Sequence, residues 1–533
     1  MAPARAGLTA GRVGLGLLAA VPVAFLGLFF AWPVAAILGL GLGGTGVGKT
    51  LADPATWELV AFTLGQAAAA TGVALLAGMP VAYVLARCQV PGRAFLRLAI
   101  TVPFVLPTVV VGLAFRAVLG DAGVVGIVLA NAFFNVAVVA RTVGGLWAHL
   151  DRRAEDAARA LGASRWRTFV SVTLPALGPA IGSAAAVVFL FCSTAFGVVL
   201  ILGGSRLRTL ETEIYLRTVN LLDLSGAAAL SLLQLGAVLA ALLVGTVLRR
   251  RREAALKLRA AQESLRRPVG GEWAVVAAAG VVIALLLVPI LGLLTRSLST
   301  SDGWSLAGYR ALATGGTQGT LAVSGFDAAL NSVRAAWDAT LLALVLGLLA
   351  SVVLSRVRTR RAGEALDLAL MLPLGVSAVT VGFGYLVTMD ALPGDFRTSP
   401  LLVPLAQALV VTPLVVRMVL PVLRAVDDRL RQAAGTLGAG PFRVWREVDL
   451  PLAGRAVLAA AGFGFVVALG EFGATSFLAR PEAPTLPVAI ARLIARPGEI
   501  NEAMAYAACA LLMVVTGLAV LVIERLRIGT GEF

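Results

Sequence analysis

Long apolar segments alternate with short polar segments along the whole chain. A helix that crosses a lipid bilayer needs about 20 consecutive, mostly apolar residues. Twelve segments meet or approach this requirement, at residues 13–41, 58–86, 97–119, 123–147, 176–202, 224–248, 273–297, 328–355, 364–388, 399–424, 455–480 and 503–525. The pattern therefore predicts an all-α polytopic membrane protein with about twelve transmembrane helices.

Composition and charge agree with a membrane protein and argue against a soluble protein and against a nucleic-acid-binding protein. Hydrophobic residues make up 59% of the 533 residues and charged residues only 14%, which leaves too little polar surface for a soluble protein of this length. The net charge is +15, but the arginines lie in short segments between apolar helices, where the positive-inside rule places them. The charge predicts a multi-pass protein with both termini in the cytoplasm, and no binding of nucleic acid.

A repeated sequence indicates two homologous halves. When residues 156–175 are aligned with residues 432–451 without gaps, nine of twenty positions are identical. We call this constant spacing between the copies the repeat offset, and it also aligns Phe196 with Phe472. Six apolar segments separate the two copies, so both halves are expected to have the same orientation and to be related by a pseudo-twofold axis along the membrane normal.

The expected domains are two transmembrane halves, residues 1–248 and 269–533, joined by a linker at residues 249–268. The linker, Arg249–Pro268, is strongly basic and polar and is rich in good helix formers. We interpret it as a cytoplasmic helix that contacts anionic lipid headgroups. A regulatory or partner-binding role is the alternative.

Each copy of the repeat falls in a loop that is too long and too polar for a simple turn. Two alanines are followed by a leucine and a glycine, which is typical of a short helix that ends near Gly162 or Gly438. An amphipathic stretch then leads to a Leu-Pro pair and the next apolar segment. Small residues allow close approach, and the flanking arginines can pair with carboxylates. The loops are therefore predicted to bind a soluble partner.

The complete spacing in both copies is Ala-Ala, three residues, Gly, nine residues, an aliphatic residue, one residue and Leu-Pro. It resembles the EAA signature in the permeases of binding-protein-dependent ABC importers. The motif positions are Asp156, Ala157, Ala158 and Gly162 in the first copy and Gln432, Ala433, Ala434 and Gly438 in the second. The leading glutamate is replaced by Asp156 and Gln432. Gln432 cannot form a salt bridge, so its contact is expected to be weaker or purely polar.

The resemblance implies a location in the bacterial cytoplasmic membrane, partners and a mechanism. Each loop would be a coupling helix that binds in a groove of an ATPase subunit. Two copies of an ABC ATPase on the cytoplasmic side and an extracytoplasmic substrate-binding protein would complete the transporter. The substrate would cross by alternating access driven by the separate ATPase, so the chain is expected to be a transport subunit and not an enzyme.

Two halves fused in one chain resemble the thiamine and ferric-iron permeases. The segment Phe196–Asn220 is similar to the corresponding segment of both. Thiamine or ferric iron is therefore the expected substrate, ahead of other small ligands such as sulfate or polyamines.

A Walker A pattern, G-x4-G-K-T, occurs at Gly43–Thr50. A genuine P-loop lies between a buried strand and a helix. This copy follows the first apolar segment and lies outside the cell in the expected topology, away from cytoplasmic ATP. We interpret it as a chance match in a glycine-rich loop.

One ionisable residue, Glu471, lies in the eleventh apolar segment. Such a residue is costly in a membrane and is by default a functional candidate. It could be a helix-end carboxylate paired with a neighbouring polar or basic side chain, or it could line the translocation path and meet a cationic substrate. Its counterpart in the first half is Ala195, so such a site would be asymmetric. The candidate path residues are Ser193, Thr194, Phe196, Glu471 and Phe472.

Other polar residues in the apolar segments, Asn131, Asn135 and Gln234, are expected to form hydrogen bonds between helices. The sequence contains no paired carboxylates, nucleophile triad or metal-ligand cluster, so no catalytic residue, metal site or cofactor is expected. The main alternative function is an ion-coupled secondary transporter, which can also have six-plus-six helices. That class needs no docking loop between the fourth and fifth segments of each half.

Overall fold

The computed structural model describes residues 16–43, 46–204, 206–250, 265–301, 303–315, 321–357, 359–391 and 399–528. Most of the predicted linker, Arg249–Pro268, and two residues of the Walker-like pattern lie outside the described residues. The predictions for the linker therefore stay predictions.

The described chain is almost entirely helical. The first eleven helices are α1 (Gly16–Leu42), α2 (Gly46–Ala52), α3 (Pro54–Arg87), α4 (Arg93–Val105), α5 (Thr108–Leu119), α6 (Gly123–His149), α7 (Arg153–Ala160), α8 (Arg165–Ser193), α9 (Gly197–Leu202), α10 (Leu210–Tyr215) and α11 (Leu224–Arg250).

The helices of the second half follow the same order. They are α12 (Glu272–Ser297), α13 (Ala307–Ala313), α14 (Gly325–Arg356), α15 (Arg360–Met371), α16 (Ala378–Thr388), α17 (Leu402–Ala425), α18 (Asp428–Thr436), α19 (Pro441–Gly470), α20 (Thr475–Leu478), α21 (Leu486–Ile494) and α22 (Glu499–Ile528). Two short antiparallel strands, β1 (Ser299–Thr300) and β2 (Gly303–Trp304), follow α12.

Ten helices of the described part of the chain are long and apolar enough to cross a membrane. Two further pairs pass the same test together but are sharply bent, by 105° between α4 and α5 and by 96° between α15 and α16. Counting each bent pair as one broken span gives twelve spans. The predicted fold class, an all-α polytopic membrane protein with about twelve transmembrane helices, is therefore confirmed.

The bends correct the expectation of continuous helices at residues 97–119 and 364–388. Pro107 has no backbone N–H and disfavours a helical conformation in the residue before it. Leu106 accordingly takes an extended conformation, with ψ 135°. In the second half, the chain is extended at Val376, and the Ser377 hydroxyl then accepts hydrogen bonds at the start of α16. Each bent span thus restarts at a defined residue.

The chain forms two compact units. The first unit contains residues 47–216 and 230–308, and the second contains residues 1–46, 217–229 and 309–533. In the first unit, α12 packs against α3 and α5, although α12 belongs to the second half of the sequence. In the second unit, α1 packs against α16. Each unit therefore includes the first long helix of the other half.

One close helix crossing occurs at the same place in both units. A Cβ atom added at Gly78 of α3 would lie 2.6 Å from the Cβ atom of Val139 in α6. A Cβ atom added at Gly347 of α14 would lie 2.7 Å from that of Val415 in α17. Small residues at helix crossings let the backbones approach closely. These glycines therefore set how closely α3 and α14 approach α6 and α17, the helices that lead into the repeat loops.

Candidate functional site

The repeat loops have the same backbone structure in both halves. In each, a short helix, α7 or α18, ends at a glycine with positive φ, 87° at Gly162 and 82° at Gly438. The amide of Ala163 donates to the carbonyl of Ala158 at 3.0 Å, and the second loop has the equivalent bond at 3.0 Å. This is the Schellman arrangement, in which glycine relieves the steric cost of positive φ. The predicted helix ends at Gly162 and Gly438 are confirmed.

Each loop exposes two large apolar side chains at equivalent positions. Leu161 and Leu437 are 90% and 88% exposed, and Trp166 and Phe442 are 73% and 70% exposed. Clusters of exposed apolar side chains are typical of interaction surfaces. We call α7 and α18 the docking helices, after the prediction from the sequence that these loops bind a soluble partner.

The motif residues themselves lie mostly on the open side of the docking helices. In the first motif, Asp156 and Ala157 are exposed and Ala158 is half-buried. In the second motif, the residues at the same three positions, Gln432, Ala433 and Ala434, show the same burial pattern. The Asp156 carboxylate is 3.7 Å from a guanidinium nitrogen of Arg159. The first loop thus presents an acidic group where the second presents an uncharged amide.

Each loop joins its long helix through a short π-helical segment, Phe169–Thr173 in α8 and Trp445–Asp449 in α19. The two segments are again related by the repeat offset. In the first loop, the ring of Trp166 lies 5.8 Å from that of Phe169, which stacks at 6.2 Å on Trp147 of α6. An exposed aromatic residue of the loop is therefore connected by ring contacts to the transmembrane bundle.

The candidate path residues lie at two equivalent breaks in the helices. Ser193 ends α8, and Thr194 and Phe196 lie between α8 and α9. Glu471 and Phe472 lie between α19 and α20. Ser193 and Phe196 are buried, at 4% and 6% exposure. The first group belongs to the first unit and the second group to the second unit. Their role in translocation stays a prediction.

The carboxylate of Glu471 caps a helix. Its oxygens accept hydrogen bonds from the amides of Ala474 at 2.8 Å and Thr475 at 3.1 Å, and from the Thr475 hydroxyl. A carboxylate that accepts from amides in the first turn stabilises the helix N-terminus. The geometry supports the interpretation of Glu471 as a helix-end carboxylate.

A buried hydrogen-bonding network links helices of the first unit. Asn131 donates to the amide oxygen of Gln66 in α3 at 2.9 Å, and Gln234 donates to the carboxylate of Glu211 at 3.1 Å. Asn135 donates to a cysteine sulfur of α8 at 3.4 Å. The predicted interhelical hydrogen bonds of Asn131, Asn135 and Gln234 are thus confirmed. Sequence reasoning missed Gln66 and Glu211, although both are polar residues in apolar surroundings.

Among the described residues, no group of three or more His, Cys, Asp or Glu side chains could hold a metal ion. The described cysteines, Cys88, Cys192 and Cys509, are buried and free.

The chain matches one known protein family in both of its halves. The family model for the binding-protein-dependent transport system inner membrane component matches residues 78–299 and 341–526. The thiamine transport system permease protein of Brucella abortus (strain 2308) is 27% identical over 479 residues, 85% of each chain. A probable ABC transporter permease protein of Sinorhizobium fredii is 26% identical and covers 88% of this chain and 87% of its own length.

Another relative has a higher sequence identity to this chain, but over a shorter segment. The molybdate/tungstate transport system permease protein of Thermococcus kodakarensis is 35% identical over 156 residues, which is 29% of this chain and 63% of that protein. The relatives are permeases and not enzymes, and the apolar helices indicate a multi-pass membrane protein. The chain is a membrane transport subunit that belongs to the binding-protein-dependent transport system inner membrane component family.

Proposed function

We propose that this chain is the membrane-spanning subunit of an ATP-driven importer and that two copies of one ABC ATPase bind its docking helices. The observation that supports this proposal best is the repetition of one exposed surface in both halves. Leu161 and Leu437 have nearly the same exposure and follow the same helix-ending motif. Two identical partners need two matching surfaces, and the repeat loops offer them.

In this proposal, an extracytoplasmic binding protein delivers the substrate, and the ATPase subunits close when they bind ATP. Their movement is passed to the transmembrane helices through the docking helices, which gives alternating access. Such transmission requires rigid elements at the points of contact. The Schellman ends and the ring contacts of Trp166 support this rigidity. The arginine-rich loops support a cytoplasmic location for both docking helices and for both termini.

We propose thiamine as the substrate. The support is the thiamine transport system permease of Brucella abortus, which is similar over 85% of both chains. The shorter similarity to a molybdate/tungstate permease covers only 29% of this chain. Ferric iron, the other expected substrate, stays a prediction. Ser193, Thr194, Phe196, Glu471 and Phe472 stay the proposed residues of the translocation path.

The test is uptake of labelled thiamine, at nanomolar concentration, by cells with and without this gene. We expect uptake to disappear in the deletion strain and to return on complementation. Depletion of ATP should abolish uptake, whereas a protonophore that leaves ATP intact should not, which distinguishes the importer from an ion-coupled secondary transporter. Unchanged uptake in the deletion strain would reject thiamine, and labelled ferric iron would be tested next in the same strains.

A further inference from the structure

One long helix of each unit, α3 in the first and α14 in the second, ends at an arginine. Arg87 ends α3 and Arg356 ends α14. The alignment that pairs these two arginines also pairs Gly78 with Gly347. Both arginines reach into their own repeat loop and pair with a carboxylate there.

In the first unit, the carboxylate lies on the docking helix. The Nη2 atom of Arg87 is 3.4 Å from Oε1 of Glu155 in α7, and the same oxygen accepts a hydrogen bond from the Thr173 hydroxyl at 3.0 Å. The Arg87 side chain is only 2% exposed. We call Arg87, Glu155 and Thr173 the first anchor.

In the second unit, the carboxylate lies on the π-helical segment of α19. Asp449 is 2.8 Å from Nη2 of Arg356 through one oxygen and 2.8 Å from Nε of Arg431 in α18 through the other. Arg431 also donates to the carbonyl of Leu423 at 2.9 Å. The Asp449 side chain is 3% exposed. We call Arg356, Arg431 and Asp449 the second anchor.

The two anchors occupy equivalent positions with the charges exchanged. At the repeat offset, Glu155 corresponds to Arg431 and Thr173 corresponds to Asp449. The docking helix thus carries the carboxylate in the first half and a guanidinium in the second. The arginine at the end of α3 or α14 is the same in both. One carboxylate joins the three elements in each case.

These contacts matter because the docking helices have little else to hold them. Neither α7 nor α18 contains a buried residue. A buried charge that loses its partner is strongly unfavourable, so each anchor resists separation of the docking helix from the long helices. Burial alone lowers the pKa of Arg431, but its hydrogen bonds to Asp449 and Asp428 raise the pKa above its ordinary value. The Arg431 guanidinium therefore stays charged at physiological pH.

We propose that the two anchors position the docking helices on their transmembrane bundles and that their charge arrangements are interchangeable. The residues act as positioning residues, because they orient the exposed surface for the partner without being part of that surface. This inference rests on the proposed binding of an ATPase to the docking helices.

The test converts one anchor into the other. Arg431→Glu and Asp449→Thr together give the second half the charge arrangement of the first, with Arg356 retained. Arg431→Glu alone places two carboxylates together, and Asp449→Thr alone leaves Arg356 without its carboxylate and Arg431 with only the exposed Asp428. The reciprocal pair in the first half is Glu155→Arg with Thr173→Asp. Asp428→Asn is the matched control, because Asp428 is 80% exposed and also pairs with Arg431.

Two measurements are made on the full-length tagged chain, purified from membranes of its own host. The first is millisecond hydrogen exchange of the amides of α18, with α17 as an internal reference. The second is the amount of ATPase that co-purifies with the chain. Each single variant should speed exchange in α18 by about 10-fold and reduce the retained ATPase by about 10-fold. The double variant and Asp428→Asn should stay within about 2-fold of the wild type on both measurements.

The outcomes test separately whether the anchors position the docking helices and whether their charge arrangements are interchangeable. Single variants that match the wild type on both measurements would contradict the proposal that the anchors position the docking helices. A double variant no better than the single variants would overturn the interchangeable arrangement. If no ATPase co-purifies with the wild type, the proposed function fails, whereas exchange in α18 still decides whether the anchors position the helix. If a single variant does not insert, Arg431→Lys, which keeps the charge but loses the fork of donors, should give faster exchange than the wild type.

Discussion

At the scale of single residues, the two glycines that end the docking helices show how a backbone conformation limits the sequence. A Cβ atom added at Gly162 or Gly438 would meet no heavy atom within 4 Å. The cost of a substitution there is therefore conformational and does not come from crowding. Glycine and, less well, asparagine accept positive φ, whereas the ring of proline fixes φ at a negative value.

This difference predicts a graded series at Gly162. Gly162→Asn should retain most uptake, whereas Gly162→Pro should abolish it, because proline cannot adopt φ 87° and lacks the N–H that donates to Arg159. Membrane insertion should be normal in both variants, as judged by the yield of folded protein in detergent. Gly438→Asn and Gly438→Pro should behave in the same way. Normal uptake in both proline variants would contradict a role of these helices in coupling.

The geometry of Glu471 also leads to a residue-scale prediction. Its carboxylate caps α20 through two amides and a hydroxyl, so Glu471→Ala should lower the free energy of unfolding by about 1 kcal/mol. Glu471→Gln, which keeps one acceptor oxygen, should lower it less. Thermal unfolding in detergent measures both changes. A raised KM for thiamine uptake in Glu471→Gln, with unchanged stability, would instead support a contact with the substrate.

At the scale of helices and loops, the close crossings of α3 with α6 and of α14 with α17 determine how each repeat loop is supported. The added methyl group in Gly78→Ala or Gly347→Ala would overlap a valine of the facing helix. We expect each variant to be destabilised by about 1–3 kcal/mol. Unfolding temperatures measured in the same detergent would show this change.

The matched variants for this prediction are on the helices of the first crossing. Gly72→Ala should be neutral or slightly stabilising, because no heavy atom lies within 4 Å of a Cβ added at Gly72 and alanine favours helix over glycine. Val139→Ala should partly restore Gly78→Ala, since it removes methyl groups that the new Cβ would meet. A destabilised Gly72→Ala would show that the effect is not specific to the crossing.

The sequence predicted some of these elements and missed others for physical reasons. The repeat loops, the helix ends at Gly162 and Gly438 and the number of spans followed from local patterns. The equivalence of α3 and α14 in the two halves did not follow from these patterns. Their residues align at a shorter sequence spacing than the repeat offset that aligns the loops. The anchors were missed because Glu155 and Arg431 carry opposite charges. Residue identity alone therefore hides their common position.

At the scale of the whole molecule, each unit depends on a helix from the other half of the sequence. Gly292 of α12 lies so close to α5 that an added Cβ atom would be 2.4 Å from a side-chain carbon of Val118. In the second unit, the rings of Phe29 in α1 and Tyr385 in α16 lie 6.2 Å apart. Neither sequence half therefore contains all of the helices of one unit.

Because each unit contains a helix from the other half of the sequence, we can predict how a divided chain behaves. Residues 1–258 and 259–533, expressed separately, should each give little folded protein, because each lacks one packing helix of its bundle. When co-expressed, they should co-purify and restore uptake. A split within α12 is the control and should not be restored, since it breaks the exchanged helix itself. Stable, monodisperse single halves would contradict the dependence on exchanged helices.

The exchanged helices also have a consequence for biosynthesis. The first long helix leaves the ribosome well before its packing partner, because α1 ends at Leu42 and α16 ends only at Thr388. At a synthesis rate of about 5–20 residues per second, α1 must wait roughly 20–70 s in the membrane before it can pack. Throughout that interval its partly apolar contact face is available to other proteins. The nascent chain therefore requires lipid or the insertion machinery to hold α1 until its partner has been synthesised.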